Sequence, residues 1–152
     1  MTVETYSDVP TAQIYLASRL SSFTMPWDVS TDTDRLAALC TATEMIDRLN
    51  FLGCKTVEAQ VLQFPRDADT LVPEEIVRAT ILCAVLLLDG FDIEIELENI
   101  NMVSQGYANV RSTFDRSVKP AHIINGIPSS EAWRYLTPFL RNANEIEINR
   151  IG

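Results

Sequence analysis

From Ala79 to Leu88 the chain carries no charged residue and one hydroxyl, that of Thr80. A helix written this way has no polar stripe, so every side of it must be covered by protein. The stretch is only about half of what a bilayer crossing requires, so no membrane partner is expected. It opens at Val72-Pro73-Glu74-Glu75, where proline suits a first helical turn and two acids meet the positive end of the helix dipole. Such a helix therefore demands a shell, supplied either by the rest of the 152 residues as the core or by a neighbouring subunit at an interface.

Three further helices are predicted. Ser7-Asp8-Val9-Pro10 offers a cap and a first-turn proline for a helix over about 10–21, with Ile14, Tyr15 and Ser18 on one face. Met25-Pro26-Trp27 then reads as a loop, with Trp27 as its packing anchor. The clearest pattern runs over about 32–50: Thr31 and Asp32 cap it, and Leu36, Leu39, Cys40, Thr43, Ile46 and Asn50 recur at spacings of three and four until Gly53. The last helix begins near Ile127-Pro128-Ser129 and carries Trp133, Leu136, Phe139 and Leu140, with Pro138 set to kink or shorten it. Between the second and third helices, 53–72 form a long connection, which is either functional or locally structured.

After Gly90 the period changes. Phe91, Ile93, Ile95 and Leu97 alternate with Asp92, Glu94, Glu96 and Glu98, the pattern of a strand with one acidic face. A bulge near Asn99-Ile100-Asn101, a turn at Gln105-Gly106 and a return arm over Tyr107–Phe114 complete a hairpin-like insertion at about 91–116. Helix is the alternative for this segment, since Glu and Leu are good helix formers. Beyond 141, Ile146 and Ile148 alternate with polar residues, which suits an arm that adds to another sheet edge. The expected architecture is mainly α: a bundle of about four helices over 1–141 with the hairpin insertion, and a C-terminal arm at 142–152.

The net charge of −9 argues against a duplex-binding surface, because nucleic-acid binding is driven by Lys and Arg displacing counterions from phosphate. Of the three cysteines, Cys40 and Cys83 sit in apolar helical patterns as inert thiols, and Cys54 follows a glycine in a loop where exposure is expected. Met1–Pro10 has no signal-peptide pattern, which leads us to expect synthesis in a reducing cytosol. Chemistry-bearing motifs are missing from the sequence. No metal-ligand spacing, phosphate-cradling glycine loop or nucleophile elbow occurs, and the single histidine, His122, reads as a loop or packing residue. Glu94, Glu96 and Glu98 could hold a cation, but a solvated face or an interface is the better account. We therefore expect no enzyme, no catalytic or metal residue and no cofactor.

An order of short pieces carries a resemblance. Ala38-Leu39-x-x-Ala42-Thr43-x-x-Ile46-Asp47 is followed by Phe51-x-Gly53, then Gln60-x-Leu62-x-Phe64-Pro65-Arg66, then Val72-Pro73-x-x-Ile76-x-x-Ala79. This order resembles the phage head completion, or head–tail adaptor (connector), proteins, some of which carry the label of DnaT-like single-stranded-DNA-binding proteins. It covers about residues 10–90. Ala42, Asp47, Gly53, Gln60, Pro65, Arg66 and Pro73 are its structural positions; Phe64 stands where such proteins often have tryptophan. The 91–98 segment and the tail beyond 141 match nothing in it.

The resemblance implies a ring, commonly of twelve copies, beneath the portal in the neck of the virion, assembled in the host cytoplasm. The partners it implies are the chain itself, the portal protein and a tail or nozzle protein, with DNA passing through without sequence-specific binding. An acidic lumen would keep that DNA from sticking. We expect Ile146, Ile148, Arg150 and Ile151 to form a portal-binding arm, and Glu94, Glu96 and Glu98 to face the lumen or the tail. The alternative is an acidic stand-alone interaction module of a phage, a chaperone or host regulator. A nucleic-acid binder ranks below both, and an enzyme last.

Overall fold

The computed structural model describes residues 4–101, 104–107, 110–113 and 120–141. The helices are α1 (Val9–Leu16), α2 (Ser21–Asp28), α3 (Asp32–Asp47), α4 (Glu74–Leu88), α5 (Ile93–Asn101), α6 (Ala121–Ile124) and α7 (Ser130–Leu136). A short 3-10 turn, Thr137–Phe139, continues α7, and β1 (Ser104–Tyr107) pairs antiparallel with β2 (Val110–Thr113). The protein is mainly helical, as its periodicity predicts.

The apolar helix sits at the centre. Every residue of α4 from Ala79 to Val85 is buried, and α3, α7 and α2 pack around it. Thr80, the hydroxyl in this run, is satisfied within the helix by donating to the Ile76 carbonyl at 2.9 Å. On α3 the inward stripe is Ala38, Leu39, Ala42, Thr43 and Ile46, with alanines at two positions where α3 faces its neighbours. Caps act where the sequence places them. Asp8 accepts from the Thr11 amide at 2.8 Å, Thr31 from Asp34 at 3.2 Å, and Ser129 from Ala132 at 3.1 Å.

Several expectations need correction. The 91–98 segment is helix α5, not a strand. Asp92 caps it by accepting from the Glu94 amide at 2.9 Å, and Glu94 and Glu96 lie in its first turn, where the dipole favours them. Ile93, Leu97 and Ile100 are also spaced at four and three, so the segment satisfies the helical period as well as the alternating one, and Ile100 is buried. The acidic face accordingly dissolves: Glu94 and Glu98 are exposed while Glu96, two residues from each, is half-buried. The bulge expected near 99–101 is helix. A hairpin does exist, but it starts later, and Gln105 and Gly106 lie within β1 opposite Ser112 and Arg111.

Met25-Pro26-Trp27 also lies in a helix. Pro26 deletes one helical hydrogen bond of α2, and burial of Trp27 offsets that loss. The Trp27 indole donates to Gln13 Oε1 at 2.9 Å and lies under the Arg35 guanidinium, 5.3 Å away. Trp27 is thus an anchor, but of a helix. In α1 the buried pair is Ala12 and Leu16, one turn apart, and Ile14 points outward at 77% exposure. Helix α3 ends at Asp47 with Arg48 as its C-cap, well before Gly53. Pro138 does shorten the last helix, which passes into the 3-10 turn at Thr137.

Candidate functional site

The connection between α3 and α4 has no regular secondary structure, yet it is ordered by side chains. Gln60 closes its tip: its carbonyl accepts from the Val57 amide at 3.1 Å, and its amide donates to the carbonyls of Leu62 and Pro65 at 2.9 and 2.8 Å. Arg66 closes its base, donating to the carbonyls of Leu52 at 2.8 Å, Gly53 at 2.6 Å and Gln63 at 3.2 Å. Gly53 adopts φ +76°, and a Cβ there would overlap the Asp67 carboxylate, which accepts from the Cys54 amide at 3.0 Å. Asp67 returns the contact through its own amide, 2.7 Å from the Cys54 carbonyl.

Asp47 ties this connection to α3. Its carboxylate accepts from the Tyr6 hydroxyl and, at 3.4 Å, from the Gln63 amide. The same Tyr6 oxygen accepts from the Phe64 amide at 3.2 Å, and the Tyr6 amide donates to Thr43 Oγ1 at 3.2 Å. Burial raises the Asp47 carboxyl above its ordinary value, outweighing the hydroxyl that favours its charged form. Burial, then the hydrogen bond to Asp47, pushes the Tyr6 phenol up as well, so the pair holds its proton on tyrosine. Phe64, joined to the following Pro65 by a cis peptide bond, meets Tyr6, Phe51 and Phe139 edge-to-face, with ring centroids 6.0, 4.7 and 5.7 Å apart.

Asp47, Gly53, Gln60, Pro65 and Arg66, singled out from the sequence, thus converge in one clamp. Ala42 is buried inside α3, and Pro73 is the N-cap of α4, which frames the clamp from its other end. Tyr6, Gln63 and Asp67 are members that the sequence did not nominate. Tyr6 lies in a segment without periodicity, and only the fold brings it to Asp47.

A separate cleft of about 510 Å³ opens where the C-terminal end of α3, the end of α6, α7 and the 3-10 turn meet. Its wall is set by Arg141, whose amide donates to the Asn50 carbonyl at 3.0 Å. Arg48, Asn50, Ile124, Asn125, Trp133 and Arg141 face it, and among the described residues no carboxylate lines it. Among the described residues neither Arg48 nor Arg141 takes part in an ion pair; the pairs found are Arg19–Glu131, Arg35–Asp32 and Arg78–Glu74.

The sequence model of the family described as "Putative DnaT-like ssDNA binding protein" matches residues 1–143. The chain belongs to this family. The match spans both the clamp and the cleft and stops inside the tail. No curated protein and no solved structure matches the chain.

The remaining residues of this DnaT-like family member fall as follows. His122 lies within α6, with Nδ1 2.9 Å from the Ile127 carbonyl, a local packing role. Cys83 is buried, and desolvation pushes its thiol up to about 12. Cys40 is half-buried and also raised, by burial and then by Glu44, while Cys54 is exposed as expected. Among the described residues no group of three or more His, Cys, Asp or Glu side chains could hold a metal ion, and no helix is long and apolar enough to cross a membrane. The proposed arm residues Ile146, Ile148, Arg150 and Ile151 lie outside the described residues.

Proposed function

We propose that this chain is a structural, non-catalytic subunit of a phage neck: a head-to-tail adaptor that assembles as a ring under the portal, extends the DNA channel and offers the tail its docking surface. The observation that carries the reading is the clamp. Five of the residues singled out by the adaptor resemblance, Asp47, Gly53, Gln60, Pro65 and Arg66, are spread over 47–66 and meet in one hydrogen-bonded unit that fixes an irregular connection in a single shape. A connection held this firmly suits a surface that must dock repeatedly and identically. Further support comes from large aliphatic side chains left in water, among them Val61 at 70% and Leu71 at 79% on that connection and Leu20 at 79% before α2. Subunit contact would cover such groups. In this reading the tail at 142–152 reaches the portal, and α5 presents the exposed Glu94 and Glu98 to the lumen or the tail, with Glu96 half-buried on another face.

Light scattering coupled to size exclusion, with and without the matching portal, tests it. A ring, or a stoichiometric shift onto portal, is the expected result. A monomer that ignores portal sinks the reading in favour of a stand-alone phage interaction module. A chain ending at Arg141 that still bound portal at full affinity would remove the arm, and reversing Glu94, Glu96 and Glu98 without effect on DNA retention or tail joining would remove the role of α5.

A second reading, single-strand binding, is the activity printed in the family's description, and the cleft is the observation that favours it. The sequence hides that cleft: Arg48 is far along the chain from Trp133 and Arg141 and adjoins them only in the fold.

A further inference from the structure

We propose that the cleft bounded by Arg48, Trp133 and Arg141 is a binding site for a short single-stranded nucleic-acid segment, with phosphodiester oxygens on the two guanidiniums and a base against the Trp133 ring. This inference rests on the single-strand reading and gives it a location. In a chain of net charge −9, two arginines facing one concavity, with no acid among the described residues of its lining, form a local reversal of sign. Each guanidinium offers forked donors that match phosphate oxygens. Asn50 and Asn125 add amides at the rim, able to donate or accept toward base edges. Trp133 is half-buried, so its ring is held by the protein while still reaching the cleft. Stacking on such a ring is tolerant of sequence, because every base has a π-face.

The cleft is closed on one side by the backbone bond from Arg141 to Asn50, so the two arginines are carried by segments tied together rather than by free ends. A rigid, flat duplex would meet the acidic remainder of the surface, whereas a single strand can enter with only a few nucleotides. Two phosphate contacts predict a shallow salt dependence, a log–log slope of about −1.4 for a single strand.

The test is fluorescence anisotropy of a labelled ten-nucleotide oligo-dT with the full chain at low salt, alongside intrinsic emission. The protein has two tryptophans and Trp27 is buried, so a change in emission reports Trp133. We expect saturable binding with quenching, a loss of about tenfold or more in the Arg48→Ala/Arg141→Ala pair, and a comparable loss in Trp133→Leu that Trp133→Phe largely restores. Circular dichroism confirms that each variant is folded. Removing two charges elsewhere, at Lys55 and Arg78, should leave affinity nearly unchanged. Oligo-dT binding that survives the double arginine variant overturns the site but leaves the single-strand reading standing; no binding by the intact chain overturns both. If inorganic phosphate displaces the oligonucleotide at equal phosphate concentration, the cleft is a plain anion site and the stacking half is wrong.

Discussion

The central helix and the connection that precedes it are ordered by opposite means. Along α4, from Ala79 to Val85, each side chain is buried among others and the one hydroxyl is satisfied inside its own helix. Between α3 and α4 the backbone pairs with itself only sparsely, through the Lys55–Arg66 bridge and a few turns, and side chains from Gln60, Arg66 and Asp67 take its carbonyls and amides. Apolar packing is non-directional and spreads its stabilisation over many contacts. A polar clamp is directional and concentrates its effect in a few residues. The core therefore tolerates changes of shape gradually, and the connection loses its form when one clamp residue goes.

Leu82→Ala should show the larger loss. It leaves a cavity at a site with no exposed surface, and a loss of about 2–5 kcal/mol in chemical unfolding is expected. The comparison breaks if the loss is below about 1 kcal/mol, since the surroundings would then be free to collapse and α4 would not be the packed centre.

Arg66→Ala comes next. It strips donors from the carbonyls of Leu52, Gly53 and Gln63 and removes the guanidinium 5.9 Å from the Phe51 ring. A global loss of about 1–3 kcal/mol is expected, accompanied by faster proteolysis within 51–69. Arg66→Lys should recover only part of it, because an ammonium cannot span several carbonyls as a planar fork does. Full rescue by lysine would mean that charge, not geometry, holds the base of the clamp.

How far each region could be read in advance follows from the same contrast. Burial on every side is written in composition alone for 79–85, whereas the equally apolar Leu86, Leu87 and Leu88 are only half-buried; capping at Thr31 and Ser129 needs one residue and its neighbours. The α5 segment misled because Ile93, Ile95 and Leu97 satisfy a period of two while Ile93, Leu97 and Ile100 satisfy a helical one. Nothing local decides between them except Asp92 at the cap. The clamp was legible as a set of positions but not as a mechanism, for Tyr6 meets Asp47 across 41 residues. The arginine cleft was not legible at all: the net charge of −9 points away from it.

Asp47→Asn probes the clamp's junction with α3 through pH. Burial raises the Asp47 carboxyl in the folded chain above its ordinary 3.8. The folded state then keeps a proton that the unfolded chain has lost, so this group's contribution to stability falls as pH rises from 3.8 through the raised folded value. Asparagine cannot titrate, and the fall should be absent from a series of unfolding curves across that window. An unchanged pH profile would show that the hydroxyl of Tyr6 compensates fully for the burial of the charge.

The smallest effect should come from the core's rim, and its sign should be the reverse. Arg19 grips Glu131 with both guanidinium nitrogens, at 2.9 and 2.6 Å, joining the segment after α1 to α7. That hydrogen bonding holds the Glu131 carboxyl below its ordinary 4.5. Its contribution is present above that value and is lost as pH falls through the lowered folded value. Because the pair is partly exposed and screened, Glu131→Gln should cost only about 0.2–1 kcal/mol near neutral pH, and nothing in acid. The two carboxyls thus pull stability in opposite directions over neighbouring windows. One belongs to a polar clamp that the burial of its own charge weakens, the other to a surface tie laid over an apolar core. If Glu131→Gln cost more than Arg66→Ala, the rim and not the connection would be where polar contacts matter to this fold, and the contrast between the two regions would have to be redrawn around α7.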